Sequence, residues 1–60
     1  MILEAVWFKN GKEIYKVSPV MCVVCSDDIK DISEIEIEDE ENNWHYREDA
    51  DDFIIRIKED

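Results

Sequence analysis

Two cysteines have the first spacing in the sequence that could support chemistry. Cys22 and Cys25 form a Cys-x-x-Cys pair, a spacing found in dithiol redox sites and in halves of zinc sites. The intervening residues are both valine, and the apolar run over residues 20–25 is typical of a buried strand. Positions three apart in a strand point to opposite faces of the sheet, and a thioredoxin-like pair needs a different structural context. We therefore predict two reduced, buried thiols that pack as small apolar residues, with a metal site shared across a dimer as the alternative.

The single histidine, His45, is the other residue that could take part in catalysis. A nucleophilic site would bring it beside a serine or cysteine and an acid in a formed pocket. None of the three serines lies in a nucleophile-elbow sequence. A chain of this length also has little volume for a pocket on the order of several hundred Å³. We predict that the protein is not an enzyme and that His45 is an exposed sheet residue near Glu36 and Glu38.

Dense carboxylates could bind a divalent cation, because oxygen ligands suit calcium and magnesium. Residues 39–41 and 49–52 are the densest acidic stretches. A calcium-binding EF-hand loop alternates its acids around a central glycine and ends in glutamate, whereas the only glycine, Gly11, lies far from both stretches. The sequence therefore predicts no specific metal site and no cofactor.

The negative charge is concentrated in one part of the chain. The protein has 17 acidic and 7 basic residues and a net charge of −10, and residues 26–60 hold 15 of the acids. Glu34, Glu36 and Glu38 alternate with isoleucines, so we expect them to project from one strand face at intervals of about 6.6–6.8 Å. This interval resembles the distance between successive phosphates of a nucleic-acid strand. Because solubility alone needs a net charge of magnitude about 2–8 for a small domain, we infer a binding role for the acids.

A surface of this kind repels nucleic acid and attracts the basic grooves of proteins that bind nucleic acid. We therefore predict a small acidic binding protein, a nucleic-acid mimic or inhibitor, that occupies such a groove on a basic partner and binds no nucleic acid directly. An aromatic residue of the first hairpin, Trp7, would add an apolar contact. The predicted contact residues are Trp7 and the following acids: Asp27, Asp28, Asp31, Glu34, Glu36, Glu38, Asp39, Glu40, Glu41, Glu48, Asp49, Asp51 and Asp52.

An apolar contact is the alternative. Residues 1–17 would bind a partner through their apolar side chains, as in an antitoxin or adaptor subunit, and the acids would serve only as a solvated face. Salt separates the two hypotheses, because a charged contact loses affinity steeply with ionic strength and an apolar contact does not. In size and acidity the chain resembles small phage or mobile-element proteins that block host nucleases or defence systems, a resemblance of type that rests on no motif.

A β-hairpin over residues 2–17 is the first of the elements that must position these side chains. Residues 10–11, Asn-Gly, tolerate the positive φ that a type I′ turn requires. A two-residue turn at this point would place Trp7 opposite Ile14. We therefore expect a strand with apolar side chains on both faces, followed by the buried run of residues 20–25.

The second half is predicted to hold a short helix and further strands. Ser26 is a good N-cap and acids follow it, which predicts a helix over about residues 27–33. A strand then starts at residue 34, and a tight turn at residues 42–43 would return the chain so that Glu38 lies opposite Arg47. The side chains expected to face the core alternate along their strands: Ile35, Ile37, Trp44, Tyr46, Phe53, Ile55 and Ile57.

Together these elements predict an α+β fold in which antiparallel strands dominate. We expect a single small domain over residues 1–60, with five or six short strands in a small curled sheet or partly open barrel, and one short helix. A chain this short buries only about 60% of its unfolded surface, so a homodimer would add stability. No apolar run approaches the ~18 residues of a membrane span, and the N-terminus lacks the features of a signal peptide. We predict a cytoplasmic protein that does not contact a membrane.

Overall fold

The computed structural model describes residues 1–25 and 31–58 of the chain. In chain order the strands are β1 (Ile2–Lys9), β2 (Lys12–Val17), β3 (Cys22–Val24), β4 (Glu36–Glu38), β5 (Trp44–His45) and β6 (Asp52–Lys58), and a 3₁₀ helix covers Ile32–Glu34. The strands form two antiparallel sheets, in the orders β2-β1-β6 and β3-β4-β5. The prediction of a mainly antiparallel β protein is confirmed, whereas the strands divide between two sheets instead of forming one curled sheet or barrel.

The predicted helix over residues 27–33 is not confirmed. Residues 26–30 lie outside the described residues, and the chain beyond them forms only the single turn of Ile32–Glu34. Asp31 caps this turn, because its Oδ1 accepts a hydrogen bond from the Ser33 backbone N–H at 3.0 Å. In the described part of the chain, no helix has the length and apolar character that crossing a membrane requires.

The turn of the first hairpin has the predicted backbone. Asn10 has a φ of 52° and Gly11 a φ of 79°, the positive values of a type I′ turn. Lys9 pairs with Lys12 across it. Such a turn matches the right-handed twist of the flanking strands, so the Asn-Gly dipeptide positions the hairpin.

The strand pairing beyond this turn differs from the prediction by one residue. Phe8 pairs with Glu13 and Trp7 pairs with Tyr15, so Ile14 is an extra residue on β2. A β-bulge of this kind reverses the expected facing of every residue that follows it on the bulged strand. The predicted pairing of Trp7 with Ile14 is therefore wrong, and Tyr15 lies on the same face of the sheet as Trp7.

The core lies between the two sheets. Trp7 is fully buried, and the centre of its ring lies 5.6 Å from that of Tyr15 and 5.1 Å from that of Phe53. Both aromatic contacts are tilted, a favourable geometry for ring pairs. The predicted inward orientation of the two isoleucines around β4 is confirmed, and the buried cluster contains Ala5, Trp7, Val17, Ile35 and Ile37.

Strand β6 pairs with β1 along its whole length. Phe53 lies opposite Trp7 and packs against the core as predicted. The predicted burial of Ile55 and Ile57 is wrong, because their side chains are 41% and 57% exposed. Leu3 pairs with Ile57 and is itself 41% exposed, so this face of the first sheet extends beyond the part that the second sheet covers.

The connection between β4 and β5 is longer than predicted. Glu38 pairs with Trp44, so the predicted pairing of Glu38 with Arg47 is wrong. The chain turns through a loop over residues 39–43 instead of a tight turn at residues 42–43. This longer loop shifts the returning strand, and with it the face on which each of its residues lies.

One carboxylate accounts for the length of this loop. Asp39 Oδ1 accepts hydrogen bonds from the backbone N–H groups of Glu41 at 2.8 Å and Asn43 at 3.0 Å. The Asp39 backbone N–H also donates to the Asn43 carbonyl at 3.0 Å. Asn42 takes the positive φ of 68° that the loop requires, a conformation that asparagine tolerates better than most residues.

The shifted register changes which side chains of β5 face inward. His45 pairs with Ile37 and is half-buried on the core side. The prediction that Trp44 and Tyr46 lie in the core is wrong, because these side chains are 46% and 54% exposed. Two large aromatic groups therefore lie at the surface near the junction of the sheets.

Strand β3 lies at the edge of the second sheet, and its residues are exposed. Cys22 and Cys25 are free, exposed thiols, and Val23 and Val24 are also exposed. The prediction of buried thiols is therefore wrong. A continuous apolar run is buried only where both faces of its strand are covered, and β3 has a single neighbouring strand in its sheet, β4.

Gly11→Val should destabilise the protein, because a β-branched residue resists the positive φ at this position. The left-handed conformation costs an L-residue about 1–2 kcal/mol. A Cβ added here meets no atom within 4 Å, so backbone strain alone sets the loss of stability. Urea denaturation measures this loss as a decrease in the free energy of unfolding. Lys12→Val, an exposed substitution in the adjacent strand, is the control and should change the unfolding free energy by only about 0.5 kcal/mol. Equal stability of the two variants would show that residues 10–11 do not form the turn.

Candidate protein-binding surface

Two acids of the first sheet, Glu4 and Glu13, are paired with basic residues of the same sheet. Arg56 donates from Nε to Glu4 at 2.9 Å and from Nη1 to Glu13 at 3.0 Å, and Lys58 Nζ lies 3.8 Å from Glu4 Oε2. Glu4 is buried, and its hydrogen bond with Arg56 holds the pKa of its carboxyl below the usual value. The first sheet therefore contributes little net negative charge to the surface.

The second sheet and its loop carry acids without such partners. Glu36 is exposed in β4, and Glu38 on the same face accepts one hydrogen bond from Asn42 Nδ2 at 3.1 Å. Glu40 and Glu41 follow in the loop and are exposed. Among the described residues, no cationic side chain forms an ion pair with any of these four glutamates. We call Glu36, Glu38, Glu40 and Glu41 the acidic surface.

Glu34 does not share a strand with these glutamates. It belongs to the 3₁₀ helix of Ile32–Glu34, and β4 begins only at Glu36. The prediction of three glutamates on one strand face is therefore wrong, and two remain on β4. The cap formed by Asp31 starts the turn that takes Glu34 out of the strand.

Several of the predicted contact acids bind other parts of this chain. Asp49 accepts two hydrogen bonds from Arg47, at 3.0 and 2.8 Å. Asp51 accepts from the Asn10 backbone N–H at 3.0 Å and so ties the loop before β6 to the first turn. Asp52 is the first residue of β6. Asp49 and Asp51 hold the loop before β6 in place, which is a structural role that the sequence did not indicate.

The remaining predicted contacts differ in their placement. Glu48 is exposed, and no cation pairs with it within residues 1–25 and 31–58. Asp27 and Asp28 lie outside the described residues. Trp7 is fully buried, so it has no surface with which to make the predicted contact.

A chain of three hydrogen-bonded side chains connects the two sheets. The Tyr15 hydroxyl lies 2.7 Å from His45 Nδ1, and His45 Nε2 lies 2.7 Å from Asp39 Oδ2. The neutral imidazole with its proton on Nε2 satisfies both contacts, because the hydroxyl donates to Nδ1 and Nε2–H donates to the carboxylate. The prediction of an exposed histidine near Glu36 and Glu38 is wrong, because His45 is half-buried and joins Tyr15 to Asp39. We call the chain of Tyr15, His45 and Asp39 the bridge.

Asp39 is the acidic end of this chain. The hydrogen bond from His45 and those from the backbone N–H groups of Asn43 and Glu41 lower the pKa of its carboxyl from 3.8 to about 2. The carboxylate therefore stays ionised near neutral pH. One side chain both closes the loop and orients the imidazole.

A cavity of about 340 Å³ lies beside the bridge. Arg47 is part of its lining, and its guanidinium carbon lies 5.1 Å from the centre of the Tyr15 ring, in a cation–π contact. The two hydrogen bonds to Asp49 raise the pKa of Arg47 and fix the guanidinium. The residues that line the cavity are aromatic or nitrogen-bearing: Tyr15, Trp44, His45, Tyr46 and Arg47.

This arrangement is suited to binding another protein. Tryptophan, tyrosine and arginine are the residue types most enriched at the centres of protein interfaces, and here they adjoin the acidic surface. Among the described residues, no group of three or more His, Cys, Asp or Glu side chains is placed to hold a metal ion.

Sequence reasoning missed the cavity because it placed Trp44 and Tyr46 in the core. The available signal was the composition of residues 44–47, Trp-His-Tyr-Arg, which contains three residue types typical of interface hot spots. The bridge left a weaker signal, since Asp39 precedes a loop that its carboxylate could close.

Asp39→Asn should remove part of the acid sensitivity of folding. The folded pKa of Asp39 is lowered, so its charged form stabilises the fold above its usual value of 3.8, and this contribution is lost as the pH falls toward about 2. Urea denaturation across this range should give a flatter pH profile for the variant than for the unsubstituted protein. Glu40→Gln alters an exposed carboxyl in the same loop and should preserve the original profile. Parallel profiles for Asp39→Asn and the unsubstituted protein would contradict the bridge.

Comparison of the chain with protein-family models, curated proteins and solved structures finds no match. The geometry of the acidic surface and the adjacent cavity is therefore the basis for assigning a function.

Proposed function

We propose that this chain is a small acidic binding protein, without catalytic activity, that occupies the basic nucleic-acid-binding surface of a partner protein. The observation that carries the proposal is a difference in ion pairing between the first sheet and the acidic surface. Glu4 and Glu13 of the first sheet have arginine or lysine partners, whereas the acidic surface has no cationic partner among the described residues. Two free thiols suit a reducing compartment, so we place the protein in the cytoplasm.

The carboxylates of the acidic surface contribute more to binding a basic partner than to the stability of the fold. Exposed charges contribute little to folding, and like charges held close together repel one another. The net charge of −10 repels the phosphates of nucleic acid and attracts the lysines and arginines that bind them. A basic partner would relieve the repulsion within the acidic surface and would gain association rate and specificity from complementary charge.

Glu36 and Glu38 give the acidic surface a regular spacing. They lie two residues apart on one face of β4, at an interval of about 6.6–6.8 Å, which is similar to the interval between successive phosphates. A groove that accepts phosphates would therefore meet carboxylates at a spacing it already recognises. Trp44 pairs with Glu38 and is 46% exposed, so an aromatic contact lies next to the charged one.

An apolar contact is the second candidate, as in an antitoxin-like or adaptor-like module or a homodimer. The first hairpin does not supply it as a whole, because Ala5, Val6 and Trp7 are fully buried. Exposed apolar side chains lie instead where β1 pairs with β6. We call these residues the apolar patch: Leu3, Ile55 and Ile57.

The double substitution Glu36→Gln and Glu38→Gln tests the proposal. It should keep or raise the melting temperature, because like charges at the surface contribute little to folding and a glutamine oxygen at position 38 can still accept the hydrogen bond from Asn42. It should weaken binding to the partner, captured from the cell that produces the protein, by about 2–5 kcal/mol where the ion pairs are desolvated. Titrations at several salt concentrations should also show a smaller salt dependence for the variant than for the unsubstituted protein.

A charge-matched pair controls for net charge. Glu36→Gln and Glu13→Gln each remove one negative charge, but Glu13 lies on the first sheet beside Arg56, so only Glu36→Gln should weaken binding. In competition with labelled DNA or RNA, the partner should release the nucleic acid when this protein binds. Simultaneous binding of both would contradict the proposal. If instead the affinity does not depend on salt and Ile57→Ser abolishes binding, the contact surface is the apolar patch.

A further inference from the structure

The two basic side chains of the cavity, His45 and Arg47, are held by other side chains of this protein, and this limits what the cavity can bind. Both ring nitrogens of His45 are engaged, by Tyr15 and by Asp39. Arg47 donates through Nε and Nη2 to Asp49. These bonds use both nitrogens of the imidazole and two of the five guanidinium N–H groups. Asp49 balances the charge of Arg47, and the net charge of −10 would repel an anion.

Trp44 and Tyr46 also line the cavity, and within the described residues no cation of this chain stacks on their rings. Aromatic ring faces attract cations through their quadrupole, and nearby carboxylates strengthen this attraction. Glu38 pairs with Trp44, and Asp39 begins the loop that leads to it. Arg47 in the lining is paired with Asp49, and the Glu38 carboxylate lies beside Trp44, so the uncovered aromatic surface next to this acid is a candidate site for a cation.

The cavity already contains one contact of the expected kind. The guanidinium of Arg47 stacks on the Tyr15 ring at 5.1 Å, while Asp49 balances its charge. A guanidinium is planar and weakly hydrated, so it stacks on aromatic rings, whereas an ammonium group is a strongly hydrated point charge. The geometry therefore favours arginine over lysine as the group that enters.

We propose that this cavity binds an arginine side chain of the partner protein, against Trp44 and Tyr46. This inference rests on the proposed function and names the group that a basic partner inserts beside the acidic surface. The volume of about 340 Å³ is at the lower end of the range for ligand cavities, about 300–1,000 Å³, and suits a single side chain. A nucleotide could also stack on these rings, but the net charge of the protein would repel its phosphate.

Three end-blocked pentapeptides test this specificity: Gly-Gly-X-Gly-Gly, where X is arginine, lysine or citrulline. Citrulline keeps the shape of arginine and removes its charge. Titration into isotopically labelled protein, followed by NMR, reports on the Trp44 indole and on Tyr46. The arginine peptide should bind about threefold more tightly than the lysine peptide and about tenfold more tightly than the citrulline peptide. Equal responses to arginine and lysine, or no shift at Trp44, would overturn the inference.

Two substitutions of the exposed Tyr46 distinguish loss of the aromatic ring from an effect on folding. Tyr46→Leu removes the ring and should weaken binding of the arginine peptide by about 3–30-fold. Tyr46→Phe keeps the ring and should stay within about twofold of the unsubstituted protein. The indole signal of the fully buried Trp7 reports whether each variant is folded. A folded Tyr46→Leu protein with unchanged affinity for the peptide would contradict an arginine site.

The same variants distinguish failure of this inference from failure of the proposed function. If Tyr46→Leu binds peptide and partner normally while Glu36→Gln with Glu38→Gln weakens partner binding, the arginine site is overturned and the acidic surface stands. If the arginine peptide shifts Trp44 but neither glutamate affects partner binding, the proposed function is overturned and the arginine site stands.

Discussion

The bulge at Ile14 is the constraint on which the docking of the two sheets depends. By adding one residue to β2, it turns Tyr15 onto the same face as Trp7 and brings the Tyr15 hydroxyl to His45. His45 in turn binds Asp39, which closes the loop of the second sheet. Without the extra residue, Tyr15 would lie on the opposite face of the first sheet, and this polar connection between the sheets could not form.

The bridge and the core contribute differently to the stability and the geometry of the fold. The Tyr15–His45 hydrogen bond has a net value of about 0.5–1.5 kcal/mol, and the bond from His45 to the ionised Asp39 has one of about 1.5–3 kcal/mol. Each of the large apolar side chains contributes about 1.5–3 kcal/mol on burial. Trp7, Ile35 and Ile37 therefore supply more of the folding free energy than the bridge does. The bridge is directional, so its main effect is to fix how the second sheet lies on the first, and that orientation forms the cavity beside Tyr15.

Local patterns predicted the parts of the fold that depend on neighbouring residues. The Asn-Gly dipeptide at residues 10–11 positioned the first turn, and the alternation around β4 identified Ile35 and Ile37 as core residues. The features that were not predicted depend on contacts between distant residues. A bulge leaves no trace in the hydrophobic pattern, and the exposure of β3 depends on whether another layer covers it. The shifted faces of Tyr15 and His45, and therefore the cavity, could not be read from local sequence.

The pairing of β1 with β6 affects how fast the chain can fold. The first hairpin closes over a two-residue turn, whereas β6 joins β1 only when Lys58 reaches Ile2, near opposite ends of the described chain. Contacts between distant residues carry a larger loop-closure entropy, and folding slows as contact order rises. The expected order is therefore the hairpin first and β6 last. Until β6 pairs with it, β1 is an edge strand whose unpaired backbone groups can bind another chain. The time that β6 takes to pair therefore determines how long the folding protein is prone to aggregate.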